Sequence, residues 1–155
     1  SKGDWKDGVP LQPSYEQQDE VFQHFIERYP NSKRVEAFRE LIFELTNRLK
    51  KKAYLNAYTY YKVGRYKAAI VAFKNAMKRY PESPYTEQMM YYQTVSAYRL
   101  AENSVESKQE DRYLAMLDNY YSFLAEYPES KHIKELGRMA KDARNFLDKR
   151  ENTEQ

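Results

Sequence analysis

An all-α repeat solenoid of about six helices, one of them long and near residues 33–62, is the architecture this sequence predicts. Three observations predict it. The phrase Tyr-Pro-x-Ser is written at 29–32, 80–83 and 127–130. Each copy closes the same pattern: the seventh residue before the Tyr is Phe22, Phe73 or Tyr120, the fourth is Phe25, Ala76 or Phe123, and the third is Ile26, Met77 or Leu124. Finally, Gly falls only at 3, 8, 64 and 137 and Pro only at 10, 13, 30, 81, 84 and 128, which leaves long runs of helix formers between breaks.

Residues 1–14 carry Gly3, Gly8, Pro10 and Pro13 without periodicity and read as an extended tail, with Trp5 the residue expected to dock. Ser14 can cap a helix whose stripe is Val21, Phe22, Phe25, Ile26 and Tyr29. Pro30 then biases Tyr29 away from helical backbone. From 33 to 62 neither Gly nor Pro occurs, and Phe38, Leu41, Ile42, Leu45, Leu49, Ala53, Ala57, Tyr60 and Tyr61 stay in phase. One helix of about 45 Å is expected at 1.5 Å per residue, with a bend near 47–52. Gly64 ends it at a position where left-handed backbone favours Gly.

The next helix, 66–80, turns Ala69, Phe73, Ala76 and Met77 inward. Ser83 as cap and Pro84 at the first position start another, with Tyr85, Met89, Tyr92, Val95 or Ser96, and Leu100 as its stripe. The polar stretch 103–108 reads as a loop before a helix from about 109 to 127. A last helix from about 131 to 149 buries Ile133, Leu136, Ala140, Ala143, Phe146 and Leu147, and 151–155 should fray. With 155 residues, a single domain over 15–150 is expected.

The central unit fits the tetratricopeptide pattern. Ala57 and Ala69 allow close approach, Tyr60 and Phe73 wedge between helices, Gly64 turns the chain with Tyr66 behind it, and Ala76 and Pro81 close the unit. The phrases are spaced 51 and then 47 positions apart, against about 34 for a plain repeat. The long helix accounts for part of the first excess and an enlarged loop at 103–108 for part of the second.

Composition narrows the function. A net charge of +3 from 26 basic and 23 acidic residues, interspersed, argues against nucleic acid as a partner. No Cys is present, so neither a disulfide framework nor a thiolate metal site can form. No apolar run approaches the ~20 residues that span a bilayer. Because residue 1 is Ser, a processed segment is expected, with any targeting peptide or lipid anchor upstream.

Phosphate-binding and hydrolase motifs are missing from the sequence, and His24 and His132 are too far apart to form a local ligand pair. Glu16, Glu20, Glu36, Glu40 and Glu44 follow helical spacing on a polar face and read as solvated pairs. No catalytic residue, cofactor or metal is expected. The basic run 48–52 reads first as a solvated face, with an anionic phosphate or lipid patch or a protein contact as alternatives, and both rings of the doublets 60/61, 91/92 and 120/121 read first as packed between repeats. The candidates for protein contact are Arg48, Lys51, Tyr61, Tyr91 and Tyr121. Neighbouring helical residues point about 100° apart, so one ring of a doublet can pack while the other lines a surface, and Tyr is favoured at interface hot spots.

The run 60–73, from Tyr60 through Gly64 to Phe73, followed by Tyr80-Pro81-Glu82-Ser83-Pro84-Tyr85, resembles the BamD family of outer-membrane β-barrel assembly lipoproteins in its Bacteroidetes branch. Residues 22–32 with 38–41 and 47–49 look like that family's long connecting helix, and 101–105 with 108–109 like its next linker. The resemblance covers about residues 20–147 and corresponds to the C-terminal repeats of the family fold. It implies a non-enzymatic scaffold on the periplasmic face of the outer membrane, lipid-anchored in the full-length protein. The implied partners are the POTRA domains of the insertase BamA and unfolded barrel substrates. Arg65 and Lys67, on the exposed side of the matching helices, are the contact residues the resemblance suggests. The alternative is another periplasmic tetratricopeptide adaptor that captures peptide segments of cell-envelope or peptidoglycan enzymes.

Overall fold

In the computed structural model the chain is helical, consistent with a tetratricopeptide-like solenoid, and the described residues are 5–6, 9–10, 15–30 and 34–154, with side chains from 20 onward. The helices are α1 (Tyr15–Arg28), α2 (Val35–Lys62), α3 (Tyr66–Arg79), α4 (Thr86–Glu102), α5 (Glu106–Glu126) and α6 (Ile133–Glu154). In the expected tail, β1 (Trp5–Lys6) pairs antiparallel with β2 (Val9–Pro10), a minimal hairpin. The Trp5 and Glu16 side chains, the Ser14 cap and residues 31–33 lie outside the described residues.

Two compact units divide the chain, residues 1–49 and 50–155. In the first, Phe25 meets Phe38 edge-on at 4.4 Å and Phe22 stacks on Phe38 at 5.6 Å, joining α1 to the start of α2. Val35 is buried there, whereas Leu41, expected in the apolar stripe, is exposed.

The second unit holds the main cores. Ala57, Ala69, Phe73, Ala76 and Met89 form one cluster, and Val95, Phe123 and Leu136 form another. A third gathers Ala97, Tyr98, Ala101, Tyr113, Met116, Leu117, Ala140 and Ala143. Helix α4 packs against α3, α5 and α6, and this is why its buried set exceeds the single stripe expected from periodicity. Gln93, Thr94, Ala97, Tyr98 and Ala101 are buried as well. Gln93 donates to Asn119 Oδ1 at 2.9 Å and Thr94 to the Met90 carbonyl at 2.8 Å, so these buried polar groups are satisfied.

Gly64 behaves as its position predicts. Its φ is +80°, Arg65 N–H donates to the Tyr60 carbonyl at 2.9 Å and Gly64 N–H to that of Tyr61 at 3.0 Å, the paired bonds of a Schellman cap.

Three boundaries depart from expectation. Helix α4 starts at Thr86, with Ser83 and Pro84 in the preceding turn. Helix α5 starts at Glu106, so the enlarged loop shrinks to 103–105. Glu106 sits in the first turn, where the helix dipole favours an anion, and Gln109 reaches back to the Ala101 carbonyl at 3.2 Å. The excess spacing therefore lies in helix length. Helix α6 runs to Glu154, past the expected 149, with Thr153 Oγ1 donating to the Lys149 carbonyl and Arg150 Nε 3.7 Å from Glu154.

Between α4 and α6, Tyr91 donates its hydroxyl to the Glu135 carboxylate at 2.9 and 3.0 Å, and Tyr98 donates to Asp142. Both pairs are 44 positions apart in sequence, so the two helices run parallel in fixed register.

Candidate protein-docking surface

The described residues of the second unit form an open groove of about 1000 Å³ along α2 and α3, against about 270 and 260 Å³ for two smaller hollows. Helix α2 contributes Ala53, Asn56 and Tyr60, and Gly64 lies at one end. Helix α3 and the residue before it contribute Arg65, Lys67, Ala68, Val71, Ala72, Asn75 and Arg79. Leu100 of α4 and Asn103 just beyond it complete the lining. The floor is apolar and the charged groups are all cationic: no described lining residue is Asp or Glu. Helix α3 divides its faces accordingly, burying Ala69, Phe73 and Ala76 inward while Val71 stays 54% exposed on the groove side.

The residues singled out in the sequence fall in different places. Arg65 and Lys67 are exposed and line the groove together. Arg48 is exposed in the first unit and Lys51 is exposed in the second. Tyr61 is half-buried and packed against the rings of Tyr58, Tyr66 and Tyr92, while its neighbour Tyr60 faces the groove. Tyr91 is half-buried, its ring stacked on His132 at 3.8 Å and its hydroxyl held by Glu135. Tyr121 is 49% exposed and accepts a bond from Arg144 Nη1 at 3.1 Å.

Arg79, Asn56 and Asn75 are groove residues that the stripe reading passed over, and Leu100, expected in the inward stripe of α4, lines the groove as well. On α3 the signal is a second period, 65–68–72–75–79, on the face about 100° round from the buried one and adjoining it at Ala72 and Ala76.

An aromatic seam explains much of the Tyr content. Rings follow one another from Tyr85 to Tyr54, Tyr58, Tyr92, Tyr91, His132, Phe123 and Tyr127, with centroid separations from 3.8 to 6.4 Å. Burial, reinforced by neighbouring phenols, raises the pKa of Tyr54, Tyr61 and Tyr92. Tyr91 and Tyr98 are raised further, by burial and then by donating to Glu135 and Asp142. His132 is lowered from its ordinary 6.5 by burial and by Lys131, against weaker opposition from Glu87 and Glu135. His24 is exposed.

Among the described residues no group of three or more His, Cys, Asp or Glu could hold a metal ion, and no helix is long and apolar enough to cross a membrane.

A protein-family model described as YfiO, outer membrane lipoprotein, matches residues 12–112 and again residues 40–153. Two overlapping registers are what a repeat architecture produces when one unit can be laid on the next. The comparison with curated proteins gave no match.

Proposed function

Because the chain belongs to the YfiO family of outer membrane lipoproteins, the BamD type, we propose that it is a non-enzymatic adaptor of outer-membrane β-barrel assembly. In this reading it is a Bacteroidetes-type member represented by its C-terminal repeats. It works on the periplasmic face of the outer membrane and is lipid-anchored in the full-length protein. Its partners are the POTRA domains of a BamA-like insertase and unfolded barrel substrates.

The observation that carries the reading is the family match across nearly the whole chain. The groove supports it as a surface suited to protein: open, apolar-floored and rimmed by Arg65 and Lys67. Contact residues proposed with them are Arg48, Lys51, Tyr61, Tyr91 and Tyr121, and the exposed Tyr121 is the most accessible of the three rings.

Depletion of the full-length protein in its host tests the proposal. Outer-membrane barrel proteins should fall, and a POTRA-bearing barrel protein should co-purify with the tagged chain. Unchanged barrel levels would overturn it. Co-purification of a peptidoglycan enzyme in place of the barrel protein would favour an adaptor for cell-wall enzymes.

A further inference from the structure

We infer that the groove along α2 and α3 is built to receive one amphipathic α-helix of a partner protein, with an aliphatic stripe flanked by Asp and Glu. The inference rests on the adaptor reading only in taking this face as a protein-docking surface.

Charge sets the flanks of the occupant. The chain carries 26 basic and 23 acidic residues, nearly balanced, yet Arg65, Lys67 and Arg79 line the groove with no carboxylate among its described residues. A partner segment with like charge would be repelled, and an acidic one steered in, at low and moderate salt.

The apolar floor sets the stripe. Ala53, Ala68, Val71, Ala72 and Leu100 hydrate poorly, and covering them with aliphatic side chains is favourable roughly in proportion to area.

Backbone chemistry sets the conformation. The walls are helices, whose own N–H and C=O groups are already paired. An extended segment lying there would find no ladder of backbone partners, whereas a helix arrives with its own bonds made. The small residues of the floor also let a third helix axis come close. The same device operates inside this unit, where Ala97, Ala101, Ala140 and Ala143 sit in one core cluster between packed helices.

The test uses the whole chain and three fluorescein-labelled synthetic peptides of about 16 residues, long enough as helices to follow α3 at 1.5 Å per residue. One has Leu at every third or fourth position flanked by Glu. The second has Lys in place of Glu, and the third has Ser in place of Leu. Fluorescence anisotropy should show the Glu/Leu peptide binding at least about tenfold more tightly than either control, a difference of about 1.4 kcal/mol.

The double variant Arg65→Glu, Lys67→Glu should reverse the preference between the Glu and Lys peptides. Val71→Glu should weaken the Glu/Leu peptide by a similar factor. All three positions are exposed, so circular dichroism should be unchanged. Failure of the Glu/Leu peptide to bind, equal binding of the Glu and Lys peptides, or indifference to these substitutions would overturn the inference. A fall in barrel proteins on depletion with no peptide binding removes the acidic helix and leaves the adaptor role. Peptide binding with unchanged barrel proteins does the reverse.

Discussion

The junction between α3 and α4 and the junction between α5 and α6 are built from the same four-residue phrase and make the same bonds. At the first, Ser83 N–H donates to the Tyr80 carbonyl at 3.0 Å and Tyr85 N–H to Ser83 Oγ at 3.1 Å. At the second, Ser130 N–H donates to the Tyr127 carbonyl at 3.1 Å and His132 N–H to Ser130 Oγ at 3.1 Å. The residue two past the Ser stacks on a ring from an earlier helix in each: Tyr85 on Tyr54 at 4.8 Å, His132 on Tyr91 at 3.8 Å. The joints differ in what is stacked. The first stacks a phenol, the second an imidazole, the side chain that gains charge on acidification. One turn design thus tolerates either ring, and the choice decides whether the joint responds to pH.

The largest way to test this equivalence lies in the wedges beneath the joints. Phe73 and Phe123 are both fully buried, so Phe73→Ala and Phe123→Ala should each cost about 3 to 5 kcal/mol in urea unfolding. A loss under about 1 kcal/mol at either site would show that its joint is not anchored by the ring.

Gly64 marks the other kind of turn, the one within a helical pair. Its φ is +80° and an added Cβ would meet nothing within 4 Å, so the cost of Gly64→Val is backbone strain alone. A loss of about 1 to 3 kcal/mol is expected, with Gly64→Asn costing less because Asn tolerates left-handed backbone. Equal losses for the two would remove strain as the cause.

Ser83→Ala and Ser130→Ala each delete one acceptor and should lose about 0.5 to 1.5 kcal/mol. Matching values would make the joints interchangeable in their turns as well as their wedges.

The smallest effect separates the joints. His132 has its pKa lowered by burial and Lys131, with Glu87 and Glu135 opposing. The unfolded chain therefore takes up the proton first, and stability present above the ordinary value near 6.5 is lost as pH falls toward the lowered folded value. Thermal melts between about pH 7.5 and 5.5 should show a steeper decline for the native chain than for His132→Phe. Parallel declines would assign the slope to other groups.

Helix positions, the Gly64 turn and the inward faces of α3 and α6 were legible because periodicity reports a single apolar face. Helix α4 was not, since three neighbours bury it on several sides and polar residues such as Gln93 and Thr94 share its interior. Composition misled at 106–108, where Glu-Ser-Lys reads as loop but forms the first turn of α5. Arg65 and Lys67 were legible as exposed cations. Arg79 and the amides of the groove were not, because a groove depends on how α2 and α3 pack and no local pattern encodes it. The doublets divided less simply than a 100° rule suggests: Tyr60 faces the groove, whereas Tyr61 and Tyr91 join the aromatic seam.

The two phenol–carboxylate bonds between α4 and α6 act as a pair of dowels. A single dowel fixes where two rods touch and leaves them free to swivel. A second, two helical turns further along both rods, removes the swivel, and a slip of one turn would have to shear both at once. Leu100 and Asn103 lie just past the second dowel and line the groove. Tyr98 and Asp142, neither of them a lining residue, therefore hold in place the stretch of α4 that brings Leu100 into the groove.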